Sequence, residues 1–268
     1  MTTAASPALL DPARSTPDVA EQRARARAIV APRSGERGLD IGCGFGLLAC
    51  ELARDVGPTG RVTGVDAVPD MIAACEERAR HDAVTGRTEF RQSDAEALPF
   101  APGTFDFVTA MQVYEYMADV ERGLGEVARV LKPRGRVAVL DTDWESCVWH
   151  TADRDRTGRV LKAWEQRFAH PHLPARLPEL LRRTGFALKS VTMIPVVNIE
   201  LSEQTYSPGM IDVIARFVAN HGGITEEEAT GWAEDVRSQA ARGEYFFSLS
   251  RYLFLAERAR TVPRGGSA

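Results

Sequence analysis

A glycine-rich turn between a short apolar strand and a helix is the first stretch of the chain with an evident chemical use. Its three glycines, Gly42, Gly44 and Gly46, alternate with other residues. Glycine lets the backbone turn tightly and lets a ligand approach closely, and the start of the following helix carries a partial positive charge. The spacing therefore predicts a cofactor-binding turn.

Carboxylates at the ends of neighbouring predicted strands narrow the choice of cofactor. Asp40 closes the first strand, Asp66 closes the second, and Asp94 follows the third. In a doubly wound sheet these strand ends meet at one edge. Three carboxylates there would repel a pyrophosphate and would suit a cofactor that carries a sulfonium, an ammonium and a ribose. Each aspartate taken singly is equally well explained as a turn or helix cap, so the prediction depends on all three together.

Two other classes of glycine-rich site fit the sequence less well. A dinucleotide fingerprint needs a third glycine at the position that Leu47 occupies here. A phosphate-binding P-loop needs a Lys-Ser or Lys-Thr pair after its last glycine, and this stretch has neither. Both comparisons favour the sulfonium cofactor.

The elements that must position these residues alternate between strand and helix. This alternation predicts an α/β fold with a doubly wound, mostly parallel seven-stranded sheet of the Rossmann-like kind. A helix is expected at 17–30, lying over the cofactor. The predicted strands are 37–41, 61–66, 88–92, 105–110, 136–141, 187–201 and 244–257.

Composition and charge exclude several classes of partner. Charged residues make up 26% of the chain and the net charge is −4, without a long run of one sign, which argues against nucleic-acid and anionic-membrane partners. No apolar run approaches the roughly 20 residues that a membrane span needs, and the N-terminus lacks a secretory pattern. We therefore predict a cytoplasmic protein, in which the four cysteines are small buried hydrophobes.

Five ordered stretches resemble the motifs of class I S-adenosylmethionine-dependent methyltransferases. The resemblance is strongest to the subgroup with the ubiquinone and menaquinone methyltransferases and many small-molecule enzymes, and it covers roughly 37–141. It implies S-adenosylmethionine as cofactor, methyl transfer as reaction and an antiparallel last strand. The stretches are Leu39–Gly46, Gly64–Asp66, Ser93–Phe100, Phe105–Val108 and Leu131–Arg136.

The resemblance also implies which residues contact the cofactor. Asp40, at the end of the first strand, would neutralise the ammonium of the cofactor or order a water that does so. After strand four the chain reads Gln-Val-Tyr-Glu-Tyr at 112–116, where quinone methyltransferases have an Arg-Asn pair, and this argues against a quinone acceptor. The implied contacts are Gly42, Gly44 and Gly46 at the methionine moiety, Asp66 at the ribose, Ala67, Val68, Asp94 and Ala95 at the adenine, and Met111 and Gln112 at the sulfonium.

The residues that follow strands four and five supply candidates for acid–base chemistry. Methyl transfer from a sulfonium is an in-line displacement whose rate comes mostly from placement and desolvation. A general base matters when the nucleophile is a hydroxyl, an ammonium or a carbon acid. The candidates are Tyr114, Glu115, Asp141, Asp143 and His150. Position favours His150, and a loop histidine without chemistry is an equal alternative.

We predict one domain over 1–268. A helical lid would cover the acceptor side, where a small molecule offers an oxygen, nitrogen or carbon nucleophile. The parts are an arm and helix at 1–35, a cofactor-binding half at 36–141, an acceptor side at 142–201, the lid at 202–243 and the last strand at 244–258.

Several alternatives remain open at this point. One is arsenite or thiol S-methylation, for which only Cys147 lies on the acceptor side. Another is a non-catalytic S-adenosylmethionine-binding protein. We predict no metal site, because His170 and His172 lack a third ligand nearby in the sequence. We also allow for a homodimer.

Overall fold

The computed structural model describes residues 16–259, so the expected N-terminal arm and C-terminal tail lie outside the described residues. Between these limits, seven strands form one sheet with helices on both faces. The helices are α1 (Pro17–Val30), α2 (Leu47–Asp55), α3 (Pro69–His81), α4 (Val120–Val130), α5 (Arg154–Glu165), α6 (Leu177–Arg183), α7 (Tyr206–Val218) and α8 (Glu226–Ala241). The strands are β1 (Arg37–Ile41), β2 (Arg61–Asp66), β3 (Thr88–Gln92), β4 (Phe105–Met111), β5 (Leu131–Trp149), β6 (Phe186–Asn198) and β7 (Phe247–Arg258).

The strand order of the sheet is β3-β2-β1-β4-β5-β7-β6. Neighbours from β3 to β5 pair in parallel, and β7 lies between β5 and β6, antiparallel to both. The chain reverses its direction of strand addition beside β1, which has β2 on one side and β4 on the other. Ligands of doubly wound sheets bind at this switch point, beyond the carboxyl ends of the strands. The predicted fold class is confirmed.

The first half of the sheet matches the expected elements closely. β1, β2, β3 and α1 have the predicted bounds. Their signals are local: β1 and β2 are short apolar runs that are buried almost throughout. Helix α3 begins at Pro69, whose missing N–H costs nothing at a first helical position.

Strand β5 differs most from the prediction, which placed a strand at 136–141 between a proline–glycine turn and a loop. It spans Leu131–Trp149. In place of the expected proline–glycine turn, the strand has a bulge. There Arg134 has a φ of 65° and the register with β4 shifts. A second register shift follows, and there the Ser146 hydroxyl accepts a hydrogen bond from the Ser250 N–H at 2.9 Å. Because this bond satisfies a backbone group at the irregularity, the polar residues do not end the strand.

The helical stretch expected at 203–243 is a pair of helices, α7 and α8. Helix α8 begins with a capping box formed by Thr225 and Glu228. Together with α5, the pair packs on the outer part of β5 and β7 through an aromatic core in which Trp232 meets Trp149 edge-on at 5.3 Å. In the described part of the chain, no helix has both the length and the apolar character needed to cross a membrane.

Candidate functional site

A cavity of about 550 Å³, here called the larger cavity, lies at the sheet edge where β1 to β4 end. Its opposite wall is the segment after α5, residues 166–169. Eight of the eleven residues expected at a cofactor line it. The eight are Gly42, Gly44, Asp66, Ala67, Val68, Asp94, Ala95 and Gln112.

The glycine turn approaches the end of β4 so closely that a side chain would not fit at its first position. Gly42 has a φ of +64°, and a Cβ there would lie 2.4 Å from Cγ2 of Val113. The turn is also held from within, because the Cys75 thiol donates a hydrogen bond to the Gly44 carbonyl oxygen at 3.0 Å. The backbone is therefore shaped before any ligand binds.

The two carboxylates in the wall of the larger cavity are fixed by backbone N–H groups. Asp66 Oδ2 accepts from the Gly44 N–H at 3.0 Å, and Oδ1 accepts from the Val68 N–H at 3.0 Å. Asp94 Oδ1 accepts from the Glu96 N–H at 2.8 Å. Two carboxylates face this end of the cavity, and Arg167 lies on the wall formed by the segment after α5, so the strand-end side suits a ligand with positive charge and hydroxyl donors.

Asp40 lies beneath the turn rather than in the wall of the larger cavity. It is 2% exposed, and its Oδ1 accepts a hydrogen bond from the Thr109 hydroxyl at 2.7 Å. Burial raises the pKa of Asp40 to about 7, against the Thr109 bond and with help from the negative charge of Asp66. Two other expected cofactor residues also lie outside the wall: Gly46 precedes α2, and Met111 packs against the core.

A second cavity, here called the smaller cavity, adjoins the first and measures about 40 Å³. Gln112, Tyr116 and Arg167 line both. The walls of the smaller cavity also include Trp144 of β5 and Trp164 of α5, which meet edge-on at 5.6 Å. Helix α7 and the first turn of α1 complete it, so the helix expected over the cofactor contributes to this cavity instead.

Gln112 stands where the two cavities meet, and its backbone is held in an unusual conformation. Its φ is 58°, a left-handed value that costs a residue with a Cβ about 1–2 kcal/mol. The Gln112 N–H donates to the Leu140 carbonyl oxygen at 2.6 Å, and Nε2 donates to the Thr142 hydroxyl at 3.2 Å. Both partners belong to β5, so the junction is tied to the middle of the sheet. Strained residues that are held in this way cluster at functional sites.

Three of the acid–base candidates lie outside the walls of both cavities. Tyr114, Glu115 and Asp141 are fully buried. Glu115 Oε2 accepts a hydrogen bond from the Trp144 indole N–H at 3.1 Å. Burial and the nearby Glu115 charge hold the pKa of Asp141 well above its ordinary value, and burial likewise raises that of Tyr114. The candidate Glu115 thus supports Trp144 and does not reach either cavity.

His150 lies outside the walls of both cavities. Because β5 continues to Trp149, it carries His150 to an exposed position, where the His150 N–H donates to the Phe246 carbonyl oxygen at 2.9 Å. Cys147, on the same extension, is buried away from both cavities, and burial raises the pKa of its thiol to about 12. The structure therefore brings neither residue to the site.

Asp143, the remaining base candidate, belongs to a side-chain group around His172. Its Oδ1 lies 3.3 Å from His172 Nδ1, Glu145 lies 3.9 Å from the same nitrogen, and Glu165 lies 3.4 Å from Nε2. One ligand atom each of Asp143, Glu145 and His172 lie within 4.8 Å of one another, whereas His170 does not belong to this group, and the absence of a metal site stays a prediction. The group is outside both cavity walls.

The two arginines at the site were missed from the sequence. Arg167 follows α5 in a stretch expected to be a loop plus a helix, and its type alone predicts a solvated surface. Arg251 is different, because the alternation Leu249, Arg251, Leu253 within β7 puts all three on one buried face. That alternation is the signal that could have found it.

Comparison with known proteins follows the same division of the chain. Residues 39–139, which span β1 to the first half of β5, match a family described as the methyltransferase domain. Residues 39–139 therefore belong to a methyltransferase domain. The resemblance seen in the sequence motifs, the fold class and S-adenosylmethionine as the cofactor of this domain are thereby confirmed.

Curated relatives match this methyltransferase domain to different extents. An uncharacterised 37.1 kDa protein of transposon TN4556 in Streptomyces fradiae is 30% identical over 84% of this chain and 63% of its own length. The ubiquinone/menaquinone biosynthesis C-methyltransferase UbiE of Klebsiella pneumoniae is 40% identical over 41% of this chain and 43% of its own length. The chain thus spans less than two thirds of either relative.

Solved structures share the fold over nearly the whole chain. The [4+2]-cyclase SpnF superposes with a TM-score of 0.61 at 24% identity, covering 90% of this chain and 81% of SpnF. The geranyl diphosphate C-methyltransferase of Streptomyces coelicolor, solved with S-adenosylhomocysteine, gives 0.57 at 16% identity, covering 90% and 79%. These likenesses extend the fold beyond residue 139.

Proposed function

We propose that this chain transfers the methyl group of S-adenosylmethionine to a small-molecule acceptor. The observation that carries the proposal is the meeting of two cavities at Gln112, one lined by the glycine turn and carboxylates and the other by aromatic side chains. A sulfonium at that junction would point its methyl group from the first cavity into the second. The cytoplasmic location and the small-molecule acceptor belong to the same proposal.

In the larger cavity, each residue has a role that fits its present contacts. Asp66, held by two backbone N–H groups, would accept hydrogen bonds from the ribose hydroxyls. Asp94 and Ala95 would contact the adenine edge. Gly42 and Gly44 would leave room for the methionine moiety, and the negative cavity would favour a sulfonium over a pyrophosphate.

In the smaller cavity, the arrangement favours placement over acid–base chemistry. Among the described residues that line it, none is a histidine, an aspartate or a glutamate. The leaving group of a sulfonium is already activated, so holding the nucleophile in line can account for about 7–11 kcal/mol of the barrier. Trp144, Trp164 and α7 would exclude water, and α7 lies in the segment expected to act as a lid. Acceptors whose nucleophile is reactive without a strong base fit best.

Methyl transfer has to be tested as a reaction, because one structural neighbour with this fold is named a cyclase. The protein is incubated with S-adenosylmethionine carrying an isotopically labelled methyl group and with panels of phenols, amines, aromatic acids and thiols, and with arsenite. We expect micromolar binding of S-adenosylmethionine and S-adenosylhomocysteine by calorimetry, and a labelled product by mass spectrometry.

Two results would count against the proposal in different ways. If neither cofactor form bound, the assignment of the larger cavity would be wrong. If both bound but no panel member was methylated with release of S-adenosylhomocysteine, methyl transfer would be contradicted. A non-catalytic or cyclising use of the cofactor would then be favoured. A labelled thiol or arsenite product would point to the S-methylation alternative, which the buried position of Cys147 disfavours.

A further inference from the structure

Arg251 is a buried cation on β7, the strand next to the β6 edge of the sheet. It lies on β7, paired with Thr142 of β5 and Ile194 of β6, and it is 1% exposed. It also lines the smaller cavity. Arginine is almost never fully buried unless it is paired, because removing its charge from water is costly.

The contacts of Arg251 in the described chain do not include a carboxylate. Nη1 donates to Gln22 Oε1 of α1 at 2.6 Å, and the guanidinium carbon lies 4.5 Å from the centre of the Tyr206 ring. Both partners are neutral. Nε and Nη2 are buried and have no hydrogen-bond partner among residues 16–259. Among residues 16–259 the buried charge therefore has no hydrogen-bonded counter-charge.

Nε and Nη2, the two nitrogens without partners among residues 16–259, together form one hydrogen-bonding edge. Nε–H and the outer Nη2–H point from the same edge of the planar guanidinium, and this edge forms two parallel hydrogen bonds to a carboxylate or phosphate. Gln22 occupies the other side of the group, on Nη1, and Tyr206 covers one face. The edge that remains is thus the one suited to an anion with two oxygens.

The other residues that line the smaller cavity indicate what the remainder of such a ligand is like. Trp144 and Trp164 offer flat apolar surfaces, and Met210 of α7 offers a flexible one. A second cation, Arg167, lies at the junction with the larger cavity, with its guanidinium 5.4 Å from the Trp164 ring centre. At about 40 Å³ the cavity holds only a few waters, so α7 must move outward to admit a ligand.

We propose that Arg251 binds an anionic two-oxygen group, a carboxylate or a phosphate, on an acceptor with an aromatic or apolar body. The inference rests on the proposed function, since it names the substrate class of the smaller cavity. The anion would supply the missing counter-charge at Nε and Nη2, and the body would stack on the tryptophans. The reacting atom would then point toward Gln112 and the methyl group.

The test uses the full-length protein saturated with S-adenosylhomocysteine and three probes of one shape. Benzoate carries the carboxylate, benzamide is its neutral counterpart, and phenyl phosphate carries a phosphate. Binding is measured at constant ionic strength by calorimetry and by tryptophan fluorescence, which reports on Trp144 and Trp164. We expect benzoate or phenyl phosphate to bind at least about 10-fold more tightly than benzamide, as a charge-assisted bidentate pair implies. The tighter of the two identifies the anion.

Arg251→Met is the principal variant, because it keeps an unbranched side chain of similar length and removes the charge. We expect it to abolish the preference for the anionic probes. Arg159→Gln is the matched control: Arg159 is an exposed arginine paired with Glu228, far from the cavity walls, and its loss should leave the preference intact. Circular dichroism verifies that both variants fold.

A readout on the wild-type protein keeps the inference testable even if Arg251→Met does not fold. The Nε–H resonance of Arg251 in an arginine-labelled NMR sample should shift on addition of benzoate or phenyl phosphate and not of benzamide. Equal or undetectable binding of all three probes, or a preference that survives Arg251→Met, would overturn the inference. Binding of S-adenosylhomocysteine in the same samples separates this failure from that of the proposed function, because the cofactor contacts lie in the other cavity.

Discussion

The two cavities of this protein differ in charge and in how the chain builds them. The larger cavity is lined by carboxylates and a glycine turn, and most of its residues follow one another at the ends of β1 to β4. The smaller cavity is lined by two arginines, two tryptophans and other side chains, which come from α1, the segment after β4, β5, α5 and the segment after it, α7 and β7. A site for one fixed cofactor can be encoded by short local motifs, whereas a site for a particular acceptor is assembled from distant residues.

The largest expected effect tests whether the two cavities can be separated energetically. Trp232 of α8 is fully buried and packs edge-on against Trp149 of β5. Trp232→Ala should lower the free energy of unfolding by about 3–5 kcal/mol through cavity formation. Because this core supports only the smaller cavity, the affinity for S-adenosylhomocysteine at low temperature should change less than about threefold. Urea unfolding and calorimetry measure the two quantities.

Trp232→Phe is the matched control for that variant. In the described part of the chain the Trp232 indole nitrogen has no hydrogen-bond partner, so phenylalanine removes volume without removing such a bond. We expect a cost of less than about 1.5 kcal/mol. If Trp232→Ala lost cofactor binding in proportion to its stability, both cavities would belong to one cooperative unit and the separation would be wrong.

A second prediction concerns the carboxyl group beneath the glycine turn. Asp40 loses its proton near pH 3.8 in the unfolded chain and near pH 7 in the folded protein. Between these values the folded state binds more protons, so the contribution of Asp40 to stability falls as the pH rises through this window. Asp40→Asn should remove that fall, which is on the order of 2–4 kcal/mol.

The measurement for Asp40 is the free energy of unfolding in urea at several pH values between 4 and 8. The quantity to follow is the difference between wild type and Asp40→Asn, because other groups titrate equally in both. Thr109→Val provides a check, since loss of the hydroxyl that stabilises the ionised form should move the midpoint to higher pH. Parallel curves for wild type and Asp40→Asn would show that Asp40 does not titrate in this range.

The third prediction compares the two carboxylates in the wall of the larger cavity. Asp66→Ala should weaken S-adenosylhomocysteine binding by about 100-fold, because two hydrogen bonds to a charged acceptor are lost. Asp94→Ala should cost only about 10-fold, since Asp94 is exposed and would make one such contact. Calorimetry measures both affinities. An unchanged affinity in Asp66→Ala would refute the ribose role, and Asp66→Asn distinguishes loss of charge from loosening of the turn.

The smallest expected effect lies at the junction of the cavities. Arg167 is half-buried, with its guanidinium 5.4 Å from the Trp164 ring centre and 5.7 Å from that of Phe217. Arg167→Gln should raise the KM for an anionic acceptor by roughly 2–5-fold with kcat unchanged, as loss of a partly exposed cation implies. Arg167→Lys should recover most of the loss. A change in kcat larger than that in KM would place Arg167 in the reaction itself.

The sequence could predict the larger cavity because each of its signals is local. The turn glycines and the aspartates at strand ends need only the order of strands, which alternation of strand and helix supplies. Asp40 lies one layer deeper than the wall of the larger cavity, since sequence cannot say whether a strand-end carboxylate points to solvent or beneath the turn. Gly46 and Met111 also lie outside that wall, and their contact with the cofactor stays a prediction.

The smaller cavity could not be predicted because it depends on where long elements end. A strand that continues through a bulge at Ser146 moved His150 away from the site. Glu115 and Tyr114 had suitable types but are fully buried outside both cavity walls, with Glu115 hydrogen-bonded to Trp144. Arg251 was readable from the alternation in β7, yet its role requires the knowledge that α1 and α7 meet over it.

The position of β7 has a consequence for how the protein is made. Strand β7 is the last to leave the ribosome, yet it lies between β5 and β6 in the sheet. During synthesis β5 therefore presents an unpaired edge of apolar residues until residues 247–258 emerge, while β1 to β4 can already assemble. In this interval β5 lacks its final neighbour, and an unpaired strand edge of this kind favours aggregation until β7 pairs with it.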